Sequence, residues 1–204
     1  MKSLYALSAL ALAVVLTQPA QADVLVDTGA PSLTGFPLVL NSGEWWAGEF
    51  TTTQEEEITG INGYILADAG NPDNASFTIS IYGNTTTGNA PDLTNPLFSQ
   101  QATYTADGWN GLSGLTQVLD PGSYWVAFEV NSSNSLQGLL PVSVANAMQA
   151  VAWNDPTTTG GYNAITGNAY NFGVQINAVP VPASVWLFAS AGLGLLGFGK
   201  RRPA

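Results

Sequence analysis

Ser76-Phe77-Thr78-Ile79-Ser80-Ile81-Tyr82 alternates apolar and polar side chains without a break. Successive side chains of a strand point to opposite faces, so Phe77, Ile79 and Ile81 are expected to face a core, and Thr78 and Ser80 water. Tyr124 to Val130 repeats the pattern, with Tyr124, Val126, Phe128 and Val130 on one face. Just before it, Asp120-Pro121-Gly122-Ser123 has proline and glycine where a type II turn uses them. Weaker strand candidates are Val24-Val26, Phe36-Leu40, Trp45-Phe50, Ile58-Leu66, Leu97-Tyr104, Thr116-Leu119, Ala150-Trp153 and Phe172-Ile176. No stretch shows a sustained helical period, and Asn, Thr, Gly, Ser and Pro fill the gaps. The prediction is an all-β fold, an antiparallel β-sandwich, jelly-roll-like. Thr157 to Gly167, where three threonines run into Gly160-Gly161, reads as a mobile loop.

Both ends of the chain have a different character. Lys2 precedes an almost wholly apolar run from Leu4 to Leu16, and Ala20-Gln21-Ala22 precedes Asp23. A positive start, a short apolar stretch and an Ala-x-Ala site describe a secretory signal peptide, cleaved between Ala22 and Asp23. Val179-Pro180-Val181-Pro182-Ala183 reads as a rigid extended spacer, because each proline fixes its own φ and disfavours helix before it. Ser184 to Gly199 is uncharged and mostly apolar, and Lys200-Arg201-Arg202 closes it. A bilayer crossing needs about 20 apolar residues, a length approached when the proline pair is included. A C-terminal transmembrane helix is therefore expected, its basic end cytoplasmic. The organisation is 1–22 signal helix, 23–178 ectodomain, and 179–204 sorting segment with membrane helix and basic tail.

The residues Val179, Pro180, Pro182, Ala183, Trp186 and Leu187, followed by the Gly/Leu run and Lys200, Arg201 and Arg202, resemble the PEP-CTERM sorting signals of Gram-negative bacteria. They are most similar to the subgroup whose box reads roughly Val-Pro-Leu-Pro-Ala before a Trp-Leu pair. Val181 stands where the broader family has a glutamate. The resemblance covers 179–204 alone. It implies recognition and cleavage by an exosortase, and a setting of exopolysaccharide or biofilm. It implies nothing about the ligand of the intervening domain.

Charge bounds that domain's chemistry. Its 14 acidic residues are all those of the chain, whereas Lys2, Lys200, Arg201 and Arg202 lie in the end segments. The chain has no His and no Cys. Nucleic-acid binding needs cations that the domain lacks. Anionic lipid or acidic polysaccharide would be repelled unless divalent cations bridged the two. Disulfides, thiol chemistry and Ser-His-Asp catalysis are excluded, as are most zinc sites. Paired carboxylates are the main catalytic route left, and no spacing nominates a pair.

Three sets of residues are candidate sites. Asp68, Asn71 and Asp73 make a loop dense in hard oxygen ligands, which could serve calcium or simply form a turn. Glu55-Glu56-Glu57 is equally well a solvated loop. Trp45, Trp46 and Trp109 could stack on sugar rings or fill the core. Strand alternation would turn one of Trp45 and Trp46 outward, while Trp109 reads as part of a Gly-rich loop, Asp107 to Gly111. Asp27-Thr28-Gly29 looks like the active-site triplet of aspartic peptidases. That chemistry needs two such aspartates, and the single copy fits an edge strand running into a turn. The expected function is an exported, non-enzymatic cell-surface or matrix protein without a required cofactor, transiently in the inner membrane. A carbohydrate-binding module, with or without calcium, is the alternative, and a carboxylate hydrolase a weaker one.

Overall fold

A computed structural model describes residues 23–32, 36–86, 90–142, 148–156, 160–165 and 170–181. The signal peptide with Ala22, the transmembrane helix, and Pro182, Ala183, Trp186, Leu187, Lys200, Arg201 and Arg202 lie outside the described residues. Among those described, all regular structure is strand, in two antiparallel sheets. The first holds β1 (Asp23–Asp27), β12 (Val174–Pro180), β4 (Glu56–Ala67), β9 (Gly138–Leu140) and β2 (Leu38–Leu40) in that order, with β7 (Gly108–Leu119) also paired to β4. The second runs β11 (Asn163–Ile165), β10 (Val151–Asn154), β3 (Trp45–Thr52), β8 (Gly122–Glu129), β5 (Ser76–Tyr82) and β6 (Phe98–Thr103).

The sheets share one core, as expected of a β-sandwich. Phe77, Ile79 and Ile81 of β5 and Val126 and Phe128 of β8 meet Ile58, Ile61 and Ile65 of β4 and Ile176 of β12. Phe128 is central. Its ring lies 6.4 Å from Phe77 and 5.8 Å, edge to face, from Phe172. It also covers Gly63 of the opposite sheet, where a Cβ would stand 2.5 Å from the ring.

The second sheet departs from the one-sided expectation. Thr78 and Ser80 do not face water; they are buried, as is Tyr82. A smaller core lies on this outer face, made of Ala47, Tyr82, Trp125, Ala127, Ala152 and Tyr162, with Trp45, Leu93 and Ala150 packed against it. Asn84, which accepts from Trp125 Nε1 at 2.6 Å, together with Leu93 and Tyr162, helps to cover it. Part of the stretch read as a mobile loop therefore forms β11, paired to β10, and buries Tyr162.

Other local readings change as well. Gly122 does not have the positive φ that a type II turn demands. Its turn is held instead by Thr52, whose hydroxyl donates to Asp120 O (2.7 Å) and accepts from Gly122 N (3.0 Å). Glu56 and Glu57 open β4, and Glu56 is buried, accepting a bond from Gln54 Nε2 at 3.0 Å. Strand β12 continues past Ala178 through Val179 and Pro180, which pair with Glu57 and Glu56. Val181 N–H bonds Glu55 O at 3.0 Å, so alternation puts the missing N–H of Pro180 on the other side of the strand. There it lies past Asp23, the first described residue of β1, so no ladder bond among the described residues is lost.

Because Phe128 is fully buried between rings, it cannot yield to a methyl group on the facing strand. Gly63→Ala should lower stability by about 1–3 kcal/mol in urea or thermal unfolding. Gly83→Ala, with open space around its Cβ, should be close to neutral. Equal effects of the two would contradict this packing.

Candidate functional site

The hairpin joining β2, at the edge of the first sheet, to β3 passes from one sheet to the other. Asn41 and Glu44 bridge its base with two backbone bonds of 3.2 Å, and Asn41 Oδ1 accepts from Gly43 N at 2.7 Å. Alternation along β3 then turns Trp46 toward the main core and Trp45 to the outer layer. Neither indole stands free. Trp46 Nε1 donates to Val39 O at 2.8 Å, and Trp45 Nε1 to Val130 O at 3.1 Å. These bonds fix both ring planes.

A groove opens on each side of the hairpin. On the Trp46 side, Phe36, Val39, Glu44, Trp46, Val142 and Tyr170 line a mostly apolar groove of about 480 Å³. Phe36 is 94 % exposed and Tyr170 41 %. Trp46 and Tyr170 lie near-parallel, 23° apart, with ring centroids separated by 6.2 Å. On the Trp45 side, Ser42, Trp45, Val130, Asn131, Ser132 and Pro156 line a groove of about 370 Å³. Glu44 belongs to the first groove. Burial raises its proton affinity, and the like charge of Asp155, next to Pro156 of the second groove, adds to the effect.

The third tryptophan is elsewhere. Trp109 is in strand β7, not in a loop, and is half-buried against Tyr64 on β4, edge to face at 5.3 Å. Of the glycines that suggested a loop, Gly111 serves strand contact. A Cβ on Gly111 would collide with the Ile61 carbonyl and Asn62, and Gly114, at φ +69°, sits where the β4–β7 register shifts. Asn110 closes the preceding turn, donating to Ala106 O and Gly108 O at 2.8 and 2.9 Å.

Asp68 and Asn71 each cap a backbone N–H: Asp68 Oδ1 takes that of Ala69 (2.7 Å), and Asn71 Oδ1 that of Gln137 (3.0 Å). Asp73 is exposed. Among the described residues, no three or more acidic side chains converge as a metal-holding group. Asp27 lies at the end of edge strand β1, and its Oδ1 accepts from Gly29 N (2.8 Å) and Gln175 Nε2 (3.3 Å). This is the turn geometry expected for the triplet.

The most constrained carboxylate was not singled out by sequence. Glu129, at the end of β8, is 4 % exposed. Ser80 Oγ donates to its Oε2, and the Tyr82 and Tyr162 hydroxyls both donate to its Oε1, each at 3.0 Å. Burial raises its proton affinity, and the three hydroxyl bonds offset that in part. Both tyrosines are pushed above their ordinary range, by burial first and the neighbouring carboxylate second. A signal for this was present: the face opposite Val126 and Phe128 reads Trp125, Ala127, Glu129, too apolar to be solvated. Phe36 and Tyr170 come from other segments and carry no such signal, and nothing in its neighbourhood sets Glu44, next to Trp45, apart from the other acidic residues. No protein-family model matches this chain, and none of the curated proteins resembles it closely enough to count as a match.

A carboxyl group that holds its proton more tightly folded than unfolded stabilises the fold most below its unfolded value. That contribution is lost as pH rises through the folded value. In Glu129→Gln the amide oxygen keeps both tyrosine bonds, and the amide nitrogen can donate to Ser80 Oγ, which is also 3.1 Å from Ser99 Oγ. The variant should therefore gain about 1 kcal/mol or more over the parent at pH 8, and less at pH 4, in denaturant unfolding. A loss of stability that is the same at both pH values would contradict this reading of Glu129.

Proposed function

We propose that this chain is an exported, non-enzymatic surface or matrix protein, sorted through its C-terminal segment and acting by binding through a jelly-roll-like sandwich. The export part rests on sequence: the basic start, apolar run and Ala-x-Ala site before Asp23, and the proline box, apolar run and basic end over 179–204. Exosortase is the partner that this tail implies, and exopolysaccharide the setting. The jelly-roll reading rests on strand interleaving, with β1-β12-β4-β7 in one sheet and β3-β8-β5-β6 in the other.

The observation that carries the binding reading is the pair of grooves about the β2–β3 hairpin. They are concave, partly aromatic and fixed by indole bonds to backbone, which are properties of ligand sites. Carbohydrate binding is the reading closest to this geometry, since exposed ring faces such as Tyr170 and Phe36 suit the apolar faces of sugars. A hydrolase is less favoured. Glu129, a carboxylate with raised proton affinity, is sealed beneath Tyr82 and Tyr162, where no substrate reaches it. The reading needs no resident cofactor. Calcium at Asp68, Asn71 and Asp73 would have to share oxygens already held by Ala69 and Gln137 N–H, and a rise in melting temperature on adding calcium would reinstate it.

The sorting reading is tested by the intact mass of the protein recovered outside the cell. The expected product begins at Asp23 and lacks Lys200, Arg201 and Arg202. A product that retains the three basic residues would exclude exosortase processing and leave an ordinary membrane-held tail.

A further inference from the structure

The groove on the Trp46 side combines three aromatic rings with one carboxylate. Phe36 comes from the segment before β2, Trp46 from β3, and Tyr170 from the segment before β12. Val39 and Val142 supply further apolar surface, and Glu44 is the charged side chain of the lining. The faces of aromatic rings carry negative charge density and attract cations, and a carboxylate adds directly to that field. The nearby Asp155 has the same sign. The described residues contain no Lys, Arg or His, so no side chain of theirs brings positive charge to this site. Anionic ligands would be repelled. An apolar neutral ligand would strip water from Glu44 and offer nothing in return.

We propose that this groove binds an organic ammonium ligand, its carbon skeleton against Phe36, Trp46 and Tyr170 and its positive charge facing Glu44. The inference rests on the reading of the domain as a binding module and adds the charge class of the ligand. A quaternary ammonium compound and an amino sugar share this chemistry, since each joins a cation to an apolar surface that can lie on a ring. The groove, at about 480 Å³, is of the size that small-ligand sites have.

The test is calorimetric titration of the full chain with choline and glucosamine, each beside an uncharged counterpart, 3,3-dimethylbutanol for choline and glucose for glucosamine. At least one cation should bind saturably, about tenfold more tightly than its counterpart. Preference for choline assigns the quaternary ammonium source, and preference for glucosamine the amino sugar. Phe36→Ala should weaken binding about threefold, and because Phe36 is 94 % exposed the change leaves the core intact. Glu44→Gln should narrow the gap between cation and counterpart. Counterparts that bind as well as the cations would overturn this proposal while leaving the binding reading in place. Absence of saturable binding by all four probes would overturn it, as would affinities that neither substitution changes.

Discussion

A domain whose charges are all negative cannot neutralise a buried carboxylate with a cation. Lys2, Lys200, Arg201 and Arg202 are the basic residues of the whole chain, and none lies between Asp23 and Val181. Glu129 is nevertheless buried at the end of a central strand of the second sheet. Unpaired burial of a charged carboxylate is costly, and the usual remedy, a salt bridge, is not open to it. Hydroxyl donors take that place: Ser80 and Tyr82 from the neighbouring strand β5, and Tyr162 from a segment far along the chain. The arrangement explains why Ser80 and Tyr82 occupy the outer face of β5, and why residues near Tyr162 fold down over the sheet.

The same outer layer borders the grooves. Trp45 packs against the smaller core, Val130 follows Glu129 directly, and Asp155-Pro156 leads toward Tyr162. The Trp45-side groove is thus built on the layer that the hydroxyls around Glu129 hold down. On the other side of the hairpin, Trp46 ties the aromatic groove to the main core. Excess negative charge acts differently in these two places. Inside, burial disfavours the charge of Glu129 and raises its proton affinity; at the surface, Glu44 and Asp155 oppose each other and bias the groove toward cations.

The inner faces of the sheets were legible in the sequence, because Phe77, Ile79 and Ile81 alternate with small polar residues and Val126 and Phe128 do likewise. The outer face of the second sheet was not. Thr78 and Ser80 look solvent-facing by type, and the segments that bury them are distant in sequence, so period-2 alternation cannot reveal the second layer. Trp109 was misplaced because Gly108 and Gly111 signal a loop. Here Gly111 permits close approach of β7 to β4 and Gly114 a register shift, needs that composition alone does not distinguish from a turn. Of the candidate site, Trp45 and Trp46 were foreseen, and their opposite facing followed from strand geometry. Glu44 is their immediate neighbour in the chain, whereas Phe36 and Tyr170 joined them only through the tertiary fold.

The most direct measurement is a carbon-detected NMR titration of the Glu129 side-chain carboxyl in the folded protein, with the signal assigned by its loss in Glu129→Gln. A carboxyl withdrawn from water, whose burial outweighs the hydroxyl bonds that favour its charged form, should titrate clearly above the ordinary glutamate value of 4.5. Titration at or below that value would mean that Glu129 is solvated or paired, and the outer layer would then need a different explanation.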